Sequence, residues 1–191
     1  MEAPNGSTLS MSMTTEAPKT KRIVLTGAES TGKSTLAKSL SEYYRAPWSR
    51  EFAREYVQSL GRDLLAKDIE TIAWGQLALE DAAFNEAQGI VLHDTNILST
   101  IVYADYYFGG ALDWATSILP ERGYSLYLLC SPDIPWVADP GQRASSNART
   151  SLHQLFTARI KKYGLPYQQI SGSHENRFNQ AIQAIDSCSG T

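Results

Sequence analysis

Apolar positions along the chain recur in two rhythms. The runs Ile23-Val24-Leu25 and Ile90-Val91-Leu92, and the stretch from Tyr124 to Cys130, are short and nearly unbroken. Such runs predict buried parallel strands, which are covered on both faces and so show no polar side. Between them the spacing changes to three and four. Leu36, Ala37, Leu40, Tyr43 and Tyr44 predict a helix over 33–44, and Ile69, Ile72, Ala73, Leu77, Ala83, Phe84 and Ala87 a long one over 68–88. Ile97, Ile101, Val102 and Ala104 place a helix over 95–108, with Gly109-Gly110 as its stop. Further helices follow over 112–119, 152–163 and 174–188, and a last short strand over 166–170. Ala46-Pro47-Trp48 is a connection with room for a brief second strand. Strand and helix in alternation predict an α/β fold, a doubly wound parallel sheet flanked by helices.

The first strand runs straight into Gly27-Ala28-Glu29-Ser30-Thr31-Gly32-Lys33-Ser34-Thr35, and a helix begins at once. Strand, G-x-x-x-x-G-K-S and helix in that order are the phosphate-binding loop with its required context. Gly27 and Gly32 permit backbone angles that let successive N–H groups turn inward on a phosphate at the positive end of the helix. Lys33 is placed to reach the β- and γ-phosphates, and the Ser34 hydroxyl to ligate Mg²⁺. The loop implies a bound nucleoside triphosphate, with ATP and Mg²⁺ as the expected cofactors.

Composition narrows the partners. The 191 residues suit one domain with a real core, and 42% apolar and 19% charged residues are ordinary for a soluble globular chain. A net charge of −3 leaves no electrostatic footprint for nucleic acid. No apolar run reaches membrane-span length, and the N-terminus lacks the basic and apolar regions of a secretory signal. Cys130 and Cys188 sit in no metal-ligand spacing and read as reduced thiols of a cytoplasmic protein. His93, His153 and His174 are scattered, which argues against a zinc site. Residues 1–20, rich in Ser, Thr, Pro and Met, read as a disordered lead-in, with Met11 or Met13 as alternative starts, to a domain over 21–191.

Other residues stand where such a site needs them. Glu51, Arg54 and Glu55 share one helical face, which is either a solvated charged surface or a carboxylate and guanidinium turned toward the loop. Asp94, closing the apolar run Ile90-Val91-Leu92, is placed at the strand edge where open α/β sheets bind ligands. It is read as a metal-organising carboxylate, with capping of the next helix as the alternative. Gln76 falls inside an apolar stripe, so its amide needs a partner in the protein or in a substrate. Tyr103, Tyr106, Tyr107 and Phe108 form an aromatic cluster that is either core or a surface for a flat ring. Arg143 and Arg149 follow the fourth strand on a segment with the character of a mobile lid, where closure sets guanidinium charge against a transferring phosphoryl group. Arg177, a cation in the first turn of the last helix, opposes the helix dipole and hints at a contact with the adenine base.

Taken together, these blocks resemble the ribosylnicotinamide kinase domain of the bacterial bifunctional regulator of NAD synthesis, within the AAA-type P-loop kinases. The resemblance runs from about residue 21 to about residue 186. It rests on the loop at Gly27–Thr35, on Glu51-Phe52-Ala53-Arg54-Glu55-Tyr56-Val57, on Asp94-Thr95-Asn96, on Asp133-Ile134-Pro135-Trp136-Val137, and on Ile170-x-Gly172 with Arg177. The family's lid arginines fall on Arg143 and Arg149. After Trp-Val the family reads Asp-Asp-Gly-x-Arg, whereas this chain has Ala138-Asp139-Pro140-Gly141-Gln142-Arg143, with an added proline. The resemblance implies ATP-dependent phosphoryl transfer to a small nucleoside-like acceptor such as nicotinamide riboside. Lys33, Glu51, Arg54, Asp94, Arg143 and Arg149 would be the catalytic set, Gly27, Glu29–Thr35 and Arg177 would hold nucleotide, and Ser34 with Asp94 would hold metal. Glu51 and Asp94 both remain candidates for the base. An ATP-hydrolysing switch and a non-catalytic nucleotide-binding module are the alternatives. The family's adenylyltransferase and DNA-binding portions have no counterpart in these residues.

Overall fold

The computed structural model describes residues 20–110, 112–136 and 146–188. Five parallel strands form one sheet in the order β2-β3-β1-β4-β5. They are β1 (Lys21–Thr26), β2 (Trp48–Ser49), β3 (Ile90–Asp94), β4 (Tyr124–Cys130) and β5 (Tyr167–Ile170). The helices are α1 (Lys33–Tyr44), α2 (Phe52–Leu60), α3 (Ile69–Glu86), α4 (Ile97–Phe108), α5 (Asp113–Ile118), α6 (Ser146–Lys162) and α7 (His174–Cys188).

Period-two alternation sorts the central strands between two cores. Ile23 and Leu25 of β1, with Leu126, Leu128 and Cys130 of β4, face α1 and α7, where Leu36, Leu40, Ala181 and Ile185 close the layer. Val24, Tyr127 and Leu129 face the other way, onto Ala73, Leu98, Val102, Phe156 and Ile160 of α3, α4 and α6. Both layers are dry, which explains why β1 and β4 read as unbroken apolar runs.

Several boundaries are sharper than periodicity alone predicts. The helix expected over 95–108 begins at Ile97, because Thr95 takes a left-handed φ of 68°. Asn96 then caps α4, its side-chain oxygen accepting from Leu98 N at 3.2 Å. The helix expected over 68–88 is α3, entered through a 3-10 turn at Ala66–Asp68. There Asp68 accepts from Leu65 N at 2.8 Å and pairs with Arg62 at 2.7 Å. Those bonds hold the Asp68 carboxyl well below the usual carboxylate range. The brief strand at Trp48–Ser49 does form, paired with Leu92 and His93 of β3.

Candidate active site

At the end of β1 the chain must turn sharply under β4. A Cβ on Gly27 would lie 2.7 Å from the Cys130 carbonyl oxygen, and φ there is 126°, so the position admits glycine alone. Gly32, at φ 78°, is the residue before α1. Between them Thr31 Oγ1 donates to Ala28 O at 2.8 Å, and Lys33 Nζ donates to the same carbonyl at 2.8 Å. The lysine is thus folded back onto its own loop, in reach of the space that the loop encloses.

A cavity of about 820 Å³ opens above this turn. Glu29, Ser30, Thr31, Gly32, Lys33, Ser34 and Thr35 line one end of it. Asp94 enters at the C-terminal edge of β3, beside Leu25 of β1 in register. It is buried, its Oδ1 has no partner among the described residues, and the Ser34 hydroxyl is among the groups that favour its charged form. Burial raises the Asp94 carboxyl, while Ser34, Lys33 and Arg54 pull it back. Capping of α4 is not its task, since Asn96 performs that, and Glu80 Oε1 accepts from Ile97 N at 3.1 Å. An unmatched buried oxygen next to a hydroxyl suits a hard, oxygen-seeking cation, so the donor set fits Mg²⁺.

Glu51 and Arg54 reach the same cavity from the start of α2, joined by an ion pair at 3.6 Å. This is the inward-facing alternative for that charged block. Burial raises the Glu51 carboxyl above its usual range; Lys33 opposes the shift, and Asp94 and Glu29 reinforce it. Beyond these groups the cavity becomes apolar and aromatic, walled by Val57, Leu64, Ile72, Tyr103, Tyr107 and Phe108. The rings of Tyr103 and Tyr107 stand parallel at 6.2 Å.

Two expected arginines lie elsewhere. Arg177, expected at the adenine base, is buried under the loop with its guanidinium engaged there. Its Nη1 donates to Thr31 O at 3.0 Å, Nη2 to Ser131 O at 2.9 Å and Nε to Gly172 O at 2.8 Å, and it pairs with Asp133. The guanidinium therefore ties the phosphate loop to the ends of β4 and β5. Arg149, on α6, is also buried and outside the cavity lining, with Nη2 donating to Ile134 O at 3.0 Å. In this conformation it does not meet the phosphate site. Arg143 and Pro140 lie outside the described residues. Ser99, in the cavity wall on α4, escaped the sequence reading; its spacing of four from Tyr103 was the available signal.

A parallel sheet with a phosphate loop at its C-terminal edge, a strand-end carboxylate beside it and a second chamber behind is the architecture of the P-loop kinases. Residues 22–177 match the AAA domain family, and the chain belongs to it. It is 27% identical over 177 residues to the Trifunctional NAD biosynthesis/regulator protein NadR of Salmonella typhimurium, a match covering 89% of this chain and 43% of that protein. The Escherichia coli NadR is likewise 27% identical over 172 residues, covering 86% of this chain and 42% of that one. The chain therefore spans less than half the length of these curated relatives. Among solved structures it is similar to NadR in complex with NR, with a TM-score of 0.71, 26% identity, and coverage of 90% of this chain and 52% of that one. A deoxyadenosine kinase from M. mycoides shares the fold at TM-score 0.60 and 11% identity, over 87% of this chain and 99% of that one.

Proposed function

We propose that this protein transfers the γ-phosphoryl group of ATP to a hydroxyl of a small nucleoside-like acceptor, with nicotinamide riboside as the first candidate and its mononucleotide as the product. One observation carries the reading: a single cavity joins the phosphate loop to an aromatic chamber, with Glu51, Arg54 and Asp94 at the junction. A pure ATPase needs room for water there, not a chamber of nucleoside size. The similarity to a NadR structure in complex with NR supports the choice of acceptor.

The residues divide the work by position. Loop amides and Lys33 hold the phosphates, Lys33 exchanging the Ala28 carbonyl for phosphate oxygen as nucleotide enters. Ser34 and Asp94 are the groups that would hold Mg²⁺, whose charge offsets that on the phosphate oxygens. Since Asp94 would be engaged with the metal, the proton of the acceptor hydroxyl falls to Glu51, which lines the same cavity. The acceptor oxygen bonds to the γ-phosphorus as the bond to the β-phosphate oxygen breaks, and ADP leaves. Arg54, paired with Glu51, holds that carboxylate toward the junction. Positioning supplies most of the rate in such transfers, so Glu51 need not be a strong base.

The test is incubation with Mg-ATP and a panel of nucleosides that includes nicotinamide riboside. Phosphorylation of that nucleoside above the background of ATP hydrolysis is the expected result. Hydrolysis alone, unchanged by every acceptor, sinks the kinase reading.

A further inference from the structure

Two polar side chains in the cavity wall take no part in the chemistry above. Gln76 of α3 is 2% exposed and Ser99 of α4 is 4% exposed, and both line the cavity. The Gln76 amide has a fixed orientation, because its Oε1 accepts from Phe52 N at 3.0 Å and a backbone N–H can face only the oxygen. Its Nε2 is therefore left as a pure donor, buried and without a partner among the described residues. Ser99 Oγ is in the same condition. Leaving a buried polar group unmatched costs about 1–3 kcal/mol, and native structures seldom keep such groups without a use. The same cavity is lined by Ile72, Leu64 and Tyr103, and no described residue accepts from the Gln76 donor.

Two unmatched groups lining one cavity ask for a ligand that carries both an acceptor and a donor. Gln76 Nε2 needs an acceptor, and the serine hydroxyl can accept from a donor. A planar carboxamide supplies both, a carbonyl oxygen beside an N–H, with no net charge. A carboxylate supplies only acceptors and brings a charge that must lose its water in a largely apolar chamber. We propose that Gln76 and Ser99 form the subsite that reads the ring substituent of the acceptor, selecting a neutral carboxamide over a carboxylate. The proposal rests on the reading of this cavity as a nucleoside kinase's acceptor site.

The test uses two nucleosides that differ only in that group, nicotinamide riboside and nicotinic acid riboside. Binding is measured by calorimetry and phosphorylation by kcat/KM, in the wild type and in Gln76→Leu, Gln76→Glu and Ser99→Ala. Gln76→Glu keeps an oxygen for Phe52 N–H, so it separates loss of recognition from loss of local structure. The wild type should favour the carboxamide by roughly tenfold or more. Each variant should narrow that ratio through the acceptor Kd and KM, with the KM for ATP retained. If nicotinamide riboside is phosphorylated and the ratio is the same in all variants, the subsite is wrong and the kinase reading stands. If the wild type discriminates in binding but phosphorylates neither nucleoside, the subsite stands and the kinase reading falls. Failure to bind either nucleoside overturns both.

Discussion

Glu80 of α3 and Asp94 of β3 are carboxylates at nearly the same depth, 0% and 3% exposed, on neighbouring elements. Glu80 is saturated. Its Oε1 accepts from Ile97 N at 3.1 Å, and its Oε2 from Tyr124 OH at 2.5 Å and from Arg122 at 3.2 Å. Arg122 continues to Asp81 at 2.8 Å, and Asp81 to Arg22 at 3.4 Å. Asp94 instead keeps one oxygen open toward a cavity whose other walls carry Lys33, Ser34 and Glu51. Similar chemistry has been put to two uses. Where the partners close on one another, the hydrogen-bonded carboxyl holds the fold, binding the start of α4 to the turn before β4. Where an oxygen is left over, a ligand is expected to complete the set.

Removing one charge from each region should separate the two roles. Lys33→Ala deletes a side chain that, among the described residues, hydrogen-bonds to Ala28 O, so the fold should hold while kcat falls by roughly 10³-fold, the scale of losing one preorganised charge stabiliser. Glu80→Ala should do the reverse. It strands Arg122, the Tyr124 hydroxyl and the Ile97 amide at once, a loss of about 3–5 kcal/mol by analogy with other broken buried pairs. Chemical denaturation and single-turnover kinetics on the folded fraction read the two quantities apart. Lost activity at full stability in Glu80→Ala, or unfolding in Lys33→Ala, would erase the distinction.

The contrast also shows what a single sequence makes legible. The phosphate loop is a contiguous chemical constraint, β4 is an almost unbroken apolar run and α7 has helical spacing, so their bounds emerge from local pattern alone. Asp94 is legible for the same local reason, as a carboxylate at the end of an apolar run. Glu80 is not: it reads as one more polar residue of a long helix, and its partners Arg122 and Tyr124 are 42 and 44 residues away. Arg177 shows the halfway case. Its unfavourable place in a first turn marked it as purposeful, but the purpose is Thr31 O, 146 residues back along the chain. Ser99 was hidden because its environment is set by how α4 meets α3. The two readings of the Glu51–Arg54 block were likewise inseparable by periodicity, which fixes a shared face and not what that face meets.

The smallest expected effect bears on the closed region alone. Burial pushes the Glu80 carboxyl from an ordinary 4.5 up to about 7. His93, buried beside Ser49 with a 2.8 Å hydrogen bond and near Arg22, is lowered from 6.5 to about 3. The signs oppose. A raised carboxyl gives stability that is fully present below 4.5 and lost as pH climbs through about 7. A lowered imidazole gives stability that is present above 6.5 and lost as pH falls through about 3. Between 4.5 and 6.5 the folded state holds Glu80's proton and lacks His93's, so the slopes that these two groups contribute cancel each other. His93→Asn keeps an oxygen for Ser49 and removes the titration. Relative to the wild type, its stability should then fall as pH rises across that window, approaching about 1.4 kcal/mol per unit for one unbalanced proton. Denaturant midpoints measured at half-unit steps would show the slope; parallel curves for the variant and the wild type would mean that the closed network does not couple to protons in this way.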